Sequence, residues 1–275
     1  MPRRRFRAEG AMCFGAALAC VFAVAAGAAD LTARDVTEAL FSTPRGPSLD
    51  LSGKDLSELD LAGLDFKGAR LAGADLFGAD LTGAHLAASD LRRARLDRAT
   101  ITGAEFSSAN LEGATLLRPT VFTSLEVDNY QARREAPRFA GTRMAGAHVT
   151  GWLDRTDFRW ADLTGATFGA REAKNHVQLA VRASMVGADF SEATLKDASL
   201  VGATLVFARF IGADLRGTDL RGADLSKANF SGADLAGADV TDANLDEADF
   251  TGARGFAEMK GLALAHNLER ALAPR

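Results

Sequence analysis

Ala74-Asp75-Leu76-Phe77-Gly78 is followed at once by Ala79-Asp80-Leu81-Thr82-Gly83, the same five-residue phrase written twice. The phrase returns as Ala223-Asp224-Leu225, Ala228-Asn229-Phe230, Ala233-Asp234-Leu235 and Ala243-Asn244-Leu245. From Leu51 onward an apolar residue recurs at every fifth position for most of the chain, with Ala two places before it and Asp or Asn one place before it. An amphipathic helix needs a period of 3.6 and a strand a period of 2, so neither explains a beat of five. Repeats this short cannot bury their apolar positions alone; they stack on one another and build a solenoid.

A longer period sets the size of one turn of that solenoid. Phe190, Phe210, Phe230 and Phe250 hold the central position at intervals of 20 residues, while Leu195, Leu205, Leu215, Leu225, Leu235 and Leu245 fill others between them. Four pentapeptides therefore close one coil, and the four Phe are expected to form an interior ladder of stacked rings. Ala fills the second inward position because a narrow interior has room for little more than a methyl group. Gly73, Gly78 and Gly83, two places after the central residue, relieve the corners, where a Cβ is disfavoured.

The motif resembles the pentapeptide-repeat family, A(D/N)LXX, over about three quarters of the chain. The resemblance implies an all-β fold, a right-handed quadrilateral parallel β-helix. The expected organisation is a leader at 1–29, a capping helix and linker at 30–48, a β-helix at 49–255 and a C-terminal capping helix at 256–275. At ~4.8 Å per coil, roughly nine coils make a rod of roughly 43 Å. At the N-terminal end, Thr32 and Asp35 form a capping-box pair, with Val36, Ala39 and Leu40 on one helix face. At the other end, Leu264, Leu268 and Leu272 lie at i, i+4, i+8, the spacing of a helical stripe. The first coil departs from the rule: Leu49, Leu59 and Leu64 replace Ala, and Lys54 takes an inward slot.

The beat breaks twice, near 126–137 and 169–183, with a one-residue slip before Leu153. Interruptions of a solenoid are extruded loops, where binding residues collect on a rigid scaffold. Between and within the breaks lie both Trp, the only Tyr and a cluster of Arg. The candidate interaction surface is therefore Tyr130, Arg133, Arg134, Arg138, His148, Trp152, Trp160 and His176. The alternative is that the rings only cover the roots of the loops.

Residues 1–29 read as a secretory signal peptide: Arg3, Arg4, Arg5 and Arg7, an apolar run from Ala11 to Ala25, then Ala26-Gly27-Ala28. Arg3-Arg4-Arg5-Phe6 loosely matches a twin-arginine signal. Cleavage removes Cys13 and Cys20, both of the cysteines, and with them any disulfide or thiolate chemistry. It also removes four Arg and one Glu, leaving 28 basic and 35 acidic residues and taking the net charge from -4 to -7. The expected location is periplasmic or secreted, with no membrane insertion after cleavage and no bulk attraction to nucleic acid.

No catalytic arrangement stands out. The four His are isolated, and no serine elbow or phosphate-cradling Gly loop is present. A metal site drawing on Asp128, His148 and His176 is the weakest reading, and neither metal nor cofactor is expected. The repeated Asp is explained by hydrogen bonds to turn backbone. The sequence thus points to an exported, non-enzymatic scaffold of the bacterial envelope that binds an unidentified protein; the C-terminal helix reads as a cap over the last coil, with homodimerisation through it as the alternative. The alternative, carried by the family resemblance, is imitation of duplex DNA toward a type II topoisomerase, which requires an uncleaved, cytoplasmic chain.

Overall fold

The computed structural model describes residues 30–42, 48–122, 135–169 and 182–274. The leader, Tyr130, Arg133, Arg134, Asp128 and His176 lie outside these residues, as does most of each interruption.

Each pentapeptide forms one side of a coil. The central residue points inward, a turn follows, and its hydrogen bond closes three residues on, as in Ala74 N to Leu71 O at 3.0 Å and Ala79 N to Leu76 O at 3.1 Å. The residue before the centre pairs in parallel with its counterpart one coil away: Asp75 with Arg95, Asp80 with Thr100. Four such ladders define four sides; three run unbroken, and the third in chain order is interrupted between Thr120 and Trp152. Side 1 runs from Asp50 to Arg254, side 2 from Asp55 to Lys260, side 3 from Asp60 to His266 and side 4 from Asp65 to Leu272. Among the described residues, rungs lengthen into strands only near the middle of side 2: β1 (Thr115–Leu117), β2 (His148–Thr150) and β3 (Thr167–Phe168), in parallel order β1-β2-β3.

The ladder residue also secures its own turn. The Oδ1 of Asp75, Asp80, Asp189 and Asp224 accepts the backbone N–H two residues on, at 2.9–3.1 Å. Such bonds favour the ionised carboxyl. Hydrogen bonds from Ser52 lower the pKa of Asp50, those from Arg92 lower that of Asp90, and those from Arg216 lower that of Asp214. A carboxyl whose folded pKa lies below its unfolded value of 3.8 stabilises the fold above that value and loses this contribution as pH falls through the folded pKa. The rod is therefore expected to hold a flat melting temperature from pH 7 to 5 and to lose it steeply below about pH 4; a pH series of thermal melts checks this.

Inside, the buried residues form one continuous core of central Leu and Phe and flanking Ala. Phe190, Phe210, Phe230 and Phe250 stack with centroids 4.9–5.0 Å apart and planes within 6° of parallel. The stack continues towards the N-terminus through Phe158, Phe139 and Phe106 at 4.9, 5.3 and 4.8 Å. These spacings match the distance between paired strands, so ring stacking and backbone pairing reinforce one another.

The ends close by different means. Helix α1 (Ala33–Ser42) buries Val36 and Leu40 against the first coil. Thr32 N donates to Asp35 Oδ2 at 2.8 Å and Asp35 N to Thr32 Oγ1 at 3.2 Å, a reciprocal capping box. Lys67 Nζ donates to the Leu40 carbonyl at 2.8 Å, and Asp30 N to the Asp55 carbonyl at 2.9 Å, tying the cap to the open edge. Leu49, Leu59 and Leu64 fill the space beneath it, half-buried, whereas Lys54 is exposed rather than inward.

At the C-terminal end the expected capping helix is absent. The segment forms three 3-10 turns, Phe256–Glu258, Leu262–Leu264 and Leu268–Arg270, entered through left-handed Gly255, Gly261 and Asn267. Its period is six. Arg254, Lys260, His266 and Leu272 each extend a ladder, and Phe256, Leu262 and Leu268 are half-buried against the core while Leu264 and Leu272 stay exposed. A turn one residue longer turns the segment into a further coil, so among the described residues side 1 carries ten rungs where the sequence period implies about nine coils. The i, i+4 stripe is a coincidence of composition, and homodimerisation through a C-terminal helix loses its helix.

Candidate interaction surface

The two interruptions flank one side of the rod. Glu105 pairs with Arg138 and Asn110 with Arg143, separations of 33 residues where one coil takes 20. The first insertion thus leaves coil 4 after Thr120 on side 3 and returns at Arg138 on side 4. Trp152 pairs with Ser184 and Thr167 with Ser199, separations of 32, so the second leaves coil 6 after side 2 and returns on side 3. Coil 5 lies between them, and its rung on side 3 is Trp152.

Trp152 owes this position to the one-residue slip. His148 pairs with Thr167, 19 residues away, because side 2 of coil 5 is shortened after Thr150. Gly151 makes the junction at φ 110°, and a Cβ there would come within 3.2 Å of Arg118 Cα and 3.3 Å of Pro119 Cδ. Gly151→Ala is expected to cost about 1–3 kcal/mol, and to shift the fluorescence of the adjoining Trp152; denaturant unfolding followed by Trp emission checks both. An unshifted midpoint would mean that the junction relaxes freely.

The surface around Trp152 is unlike the rest of the rod. From Thr100 to Phe207 the outward positions of side 3 are mostly Thr, Ser, Val, Gly and aromatic rings. Trp152 is 76% exposed, Phe122 66% and Phe207 55%. Val186 and Val206 stand half-buried between them on coils 6 and 7. Asp154 is held down, its Oδ1 accepting from Ser184 Oγ at 2.6 Å and Val186 N at 2.9 Å. Exposed rings with few charges among them have the composition of the centre of a protein contact.

The other sequence-derived candidates are dispersed around the rod. His148 is on side 2, half-buried, donating from Nε2 to the Gly169 carbonyl at 2.8 Å, a bond that fastens β2 to the end of β3. Arg138 is on side 4 and pairs with Glu105 at 3.0 Å. Trp160 is exposed at the corner between sides 4 and 1, with the Arg159 guanidinium 4.9 Å from its ring centre. One surface made of Trp152, Trp160, Arg138 and His148 is therefore excluded by the four-sided cross-section. Phe122, Val186, Val206 and Phe207 were missed. Their signal was present as apolar residues in outward slots, but Phe122 could be placed on Trp152's side only once the loop lengths were known.

The described residues contain no group of three or more His, Cys, Asp or Glu placed to hold a metal ion, and no helix among them is long and apolar enough to cross a membrane.

Repeats and rungs correspond to a known family. The model described as pentapeptide repeats matches in eight copies, over 49–78, 79–116, 183–222 and 223–254. The chain belongs to the pentapeptide-repeat family. The family fold is the right-handed quadrilateral β-helix, and the four ladders are its four sides. The unmatched stretch between those segments of this pentapeptide-repeat protein, 117–182, is the part holding both insertions, the slip and Trp152. Solved pentapeptide-repeat structures resemble it. HetL from the cyanobacterium Nostoc sp. strain PCC 7120, a protein involved in heterocyst differentiation regulation, is 22% identical over 88% of this chain and 94% of its own, with TM-score 0.34. QnrB1, a plasmid-mediated fluoroquinolone resistance protein, is 20% identical over 75% and 89%, with TM-score 0.29. Rfr23 from the cyanobacterium Cyanothece 51142 is 24% identical over 57% and 90%, with TM-score 0.27. No curated protein matches the sequence.

Proposed function

We infer that this pentapeptide-repeat protein is an exported, non-enzymatic scaffold of the bacterial envelope that binds a protein partner through side 3. The observation that carries the reading is the neutral aromatic band Phe122–Trp152–Phe207, framed by the two insertions. Export rests on the leader at 1–29. Imitation of duplex DNA is less well supported. A duplex mimic needs uncompensated negative charge along its length, whereas several of the ladder carboxylates here are paired with cations: Arg95 with Asp75, Arg209 with Asp189 and Arg254 with Asp234 along ladders, Arg92 with Asp90 and Arg221 with Asp219 within a turn.

Intact mass and N-terminal sequence of the protein from fractionated native cells test this reading. A chain beginning near Asp30 in the periplasmic fraction or the medium is the expected result. An unprocessed chain starting at Met1 in the cytoplasm would overturn export and call for a supercoiling assay.

A further inference from the structure

Along the corner between sides 3 and 4 runs a groove of about 680 Å³, from Pro137 on coil 4 to Phe207 and Arg209 on coil 7. Four guanidinium groups line it, from Arg138, Arg155, Arg159 and Arg209, against two carboxylates, Asp157 and Asp189. That excess of positive charge sits on a chain whose net charge is -4. Two of the four cations are engaged. Arg159 grips Asp157 through two hydrogen bonds of 2.9 and 2.6 Å, and Arg138 turns to Glu105. Burial pushes the Asp157 carboxyl up, but its hydrogen bonds from Arg159 and the nearby Arg138 charge outweigh this and hold it below the usual range.

Two cations remain for a ligand. Arg209 only leans on Asp189, at 3.5 Å, and Arg155, which lines the groove, makes no ion pair among the described residues. A guanidinium facing a groove with no counter-ion among the described residues is a ready carboxylate receptor, because its planar fork matches two carboxylate oxygens. Arg155 stands on coil 5 and Arg209 on coil 7, two coils or about 10 Å apart along the axis, a distance that an extended chain crosses in about three residues. Val186 and Phe207 form an apolar wall beside them. An extended peptide can set acidic side chains at the spacing of Arg155 and Arg209 and lay apolar ones against Val186 and Phe207, which favours a peptide over a nucleic acid.

We propose that this groove binds an extended acidic segment of the partner protein, Arg155 taking one carboxylate and Arg209 a second about three residues further along. The proposal rests on the reading of the chain as a binding scaffold and places the groove beside the aromatic band, so that one partner can cover both. Fluorescence anisotropy of a fluorescein-labelled hexaglutamate peptide, titrated with the full chain, tests it. Hexaglutamate is expected to bind, to weaken as salt is raised, and to bind about tenfold less well to Arg155→Gln, while hexaglutamine does not bind. Lys196→Gln, on side 1, is expected to leave the titration unchanged. Hexaglutamate binding no tighter than hexaglutamine, or binding indifferent to Arg155→Gln, would overturn the proposal, as would full displacement by equimolar inorganic phosphate, which would mark a generic anion site. Because the titration needs no native partner, a failed titration alongside partner capture that depends on Trp152 removes the groove and leaves the scaffold reading standing.

Discussion

Phe158→Ala is expected to lower the unfolding free energy by about 3–5 kcal/mol. Its ring lies between Phe139 at 5.3 Å and Phe190 at 4.9 Å and meets Phe168 edge-on at 6.2 Å, so it touches more rings than any other member of the stack among the described residues. Neighbours cannot collapse into the space it leaves, because the coils around it are fixed by backbone bonds such as Phe158 N to Asp189 O at 2.8 Å and Phe139 N to Asp157 O at 2.7 Å. The lost volume stays a cavity, which is the expensive outcome of a large-to-small change. Phe158 also sits between the two insertions, where the sequence repeat is weakest, and carries the stack from the N-terminal coils to the C-terminal ones. Urea unfolding should show the full loss for Phe158→Ala and a change within about 0.5 kcal/mol for the exposed Phe122→Ala. Equal effects for the two would mean that the stack is not continuous through the insertions.

Trp152→Ala is expected to weaken partner capture by about 2 kcal/mol or more, roughly thirtyfold, with the melting temperature unchanged. The indole projects from a ladder position, where its neighbours carry Thr and Ser, so its removal leaves no internal cavity and exposes no core. Its value lies in the apolar area it offers a partner at small entropic cost. Trp160→Ala makes the natural control. That ring is also exposed and lies on the same coil, but at the corner of sides 4 and 1 and against its own Arg159. Loss of capture with Trp160→Ala and retention with Trp152→Ala would move the contact surface to the opposite corner of the rod.

The parts of this molecule that obey an unbroken period were legible from the sequence. Five residues per side and 20 per coil follow from Leu, Ala and Phe alone, because the interior accepts one large and one small side chain per side. The ring stack below Phe190 was not legible, since Phe158, Phe139 and Phe106 are spaced by 32, 19 and 33 residues and only backbone pairing brings them into line. The C-terminal segment misled for a related reason. Leu264, Leu268 and Leu272 mimic a helical stripe, while the governing spacing is the six residues between Phe256, Leu262 and Leu268, a period that belongs to neither a helix nor the preceding repeat. The candidate surface was half legible. The sequence singled out the middle section by its aromatic residues, but which of the four sides each one occupies depends on the lengths of the insertions. That dependence separates Trp152 from Trp160 and joins it to Phe122 and Phe207.

Site-specific photocrosslinking in growing cells tests the central claim most directly, with a benzophenone side chain placed at position 152 on side 3 or, for comparison, at position 196 on side 1. The account predicts a discrete adduct from position 152 in the periplasmic or extracellular fraction and none from position 196. Adducts of equal yield from both positions, or an adduct from position 196 alone, would contradict the assignment of side 3 as the contact surface.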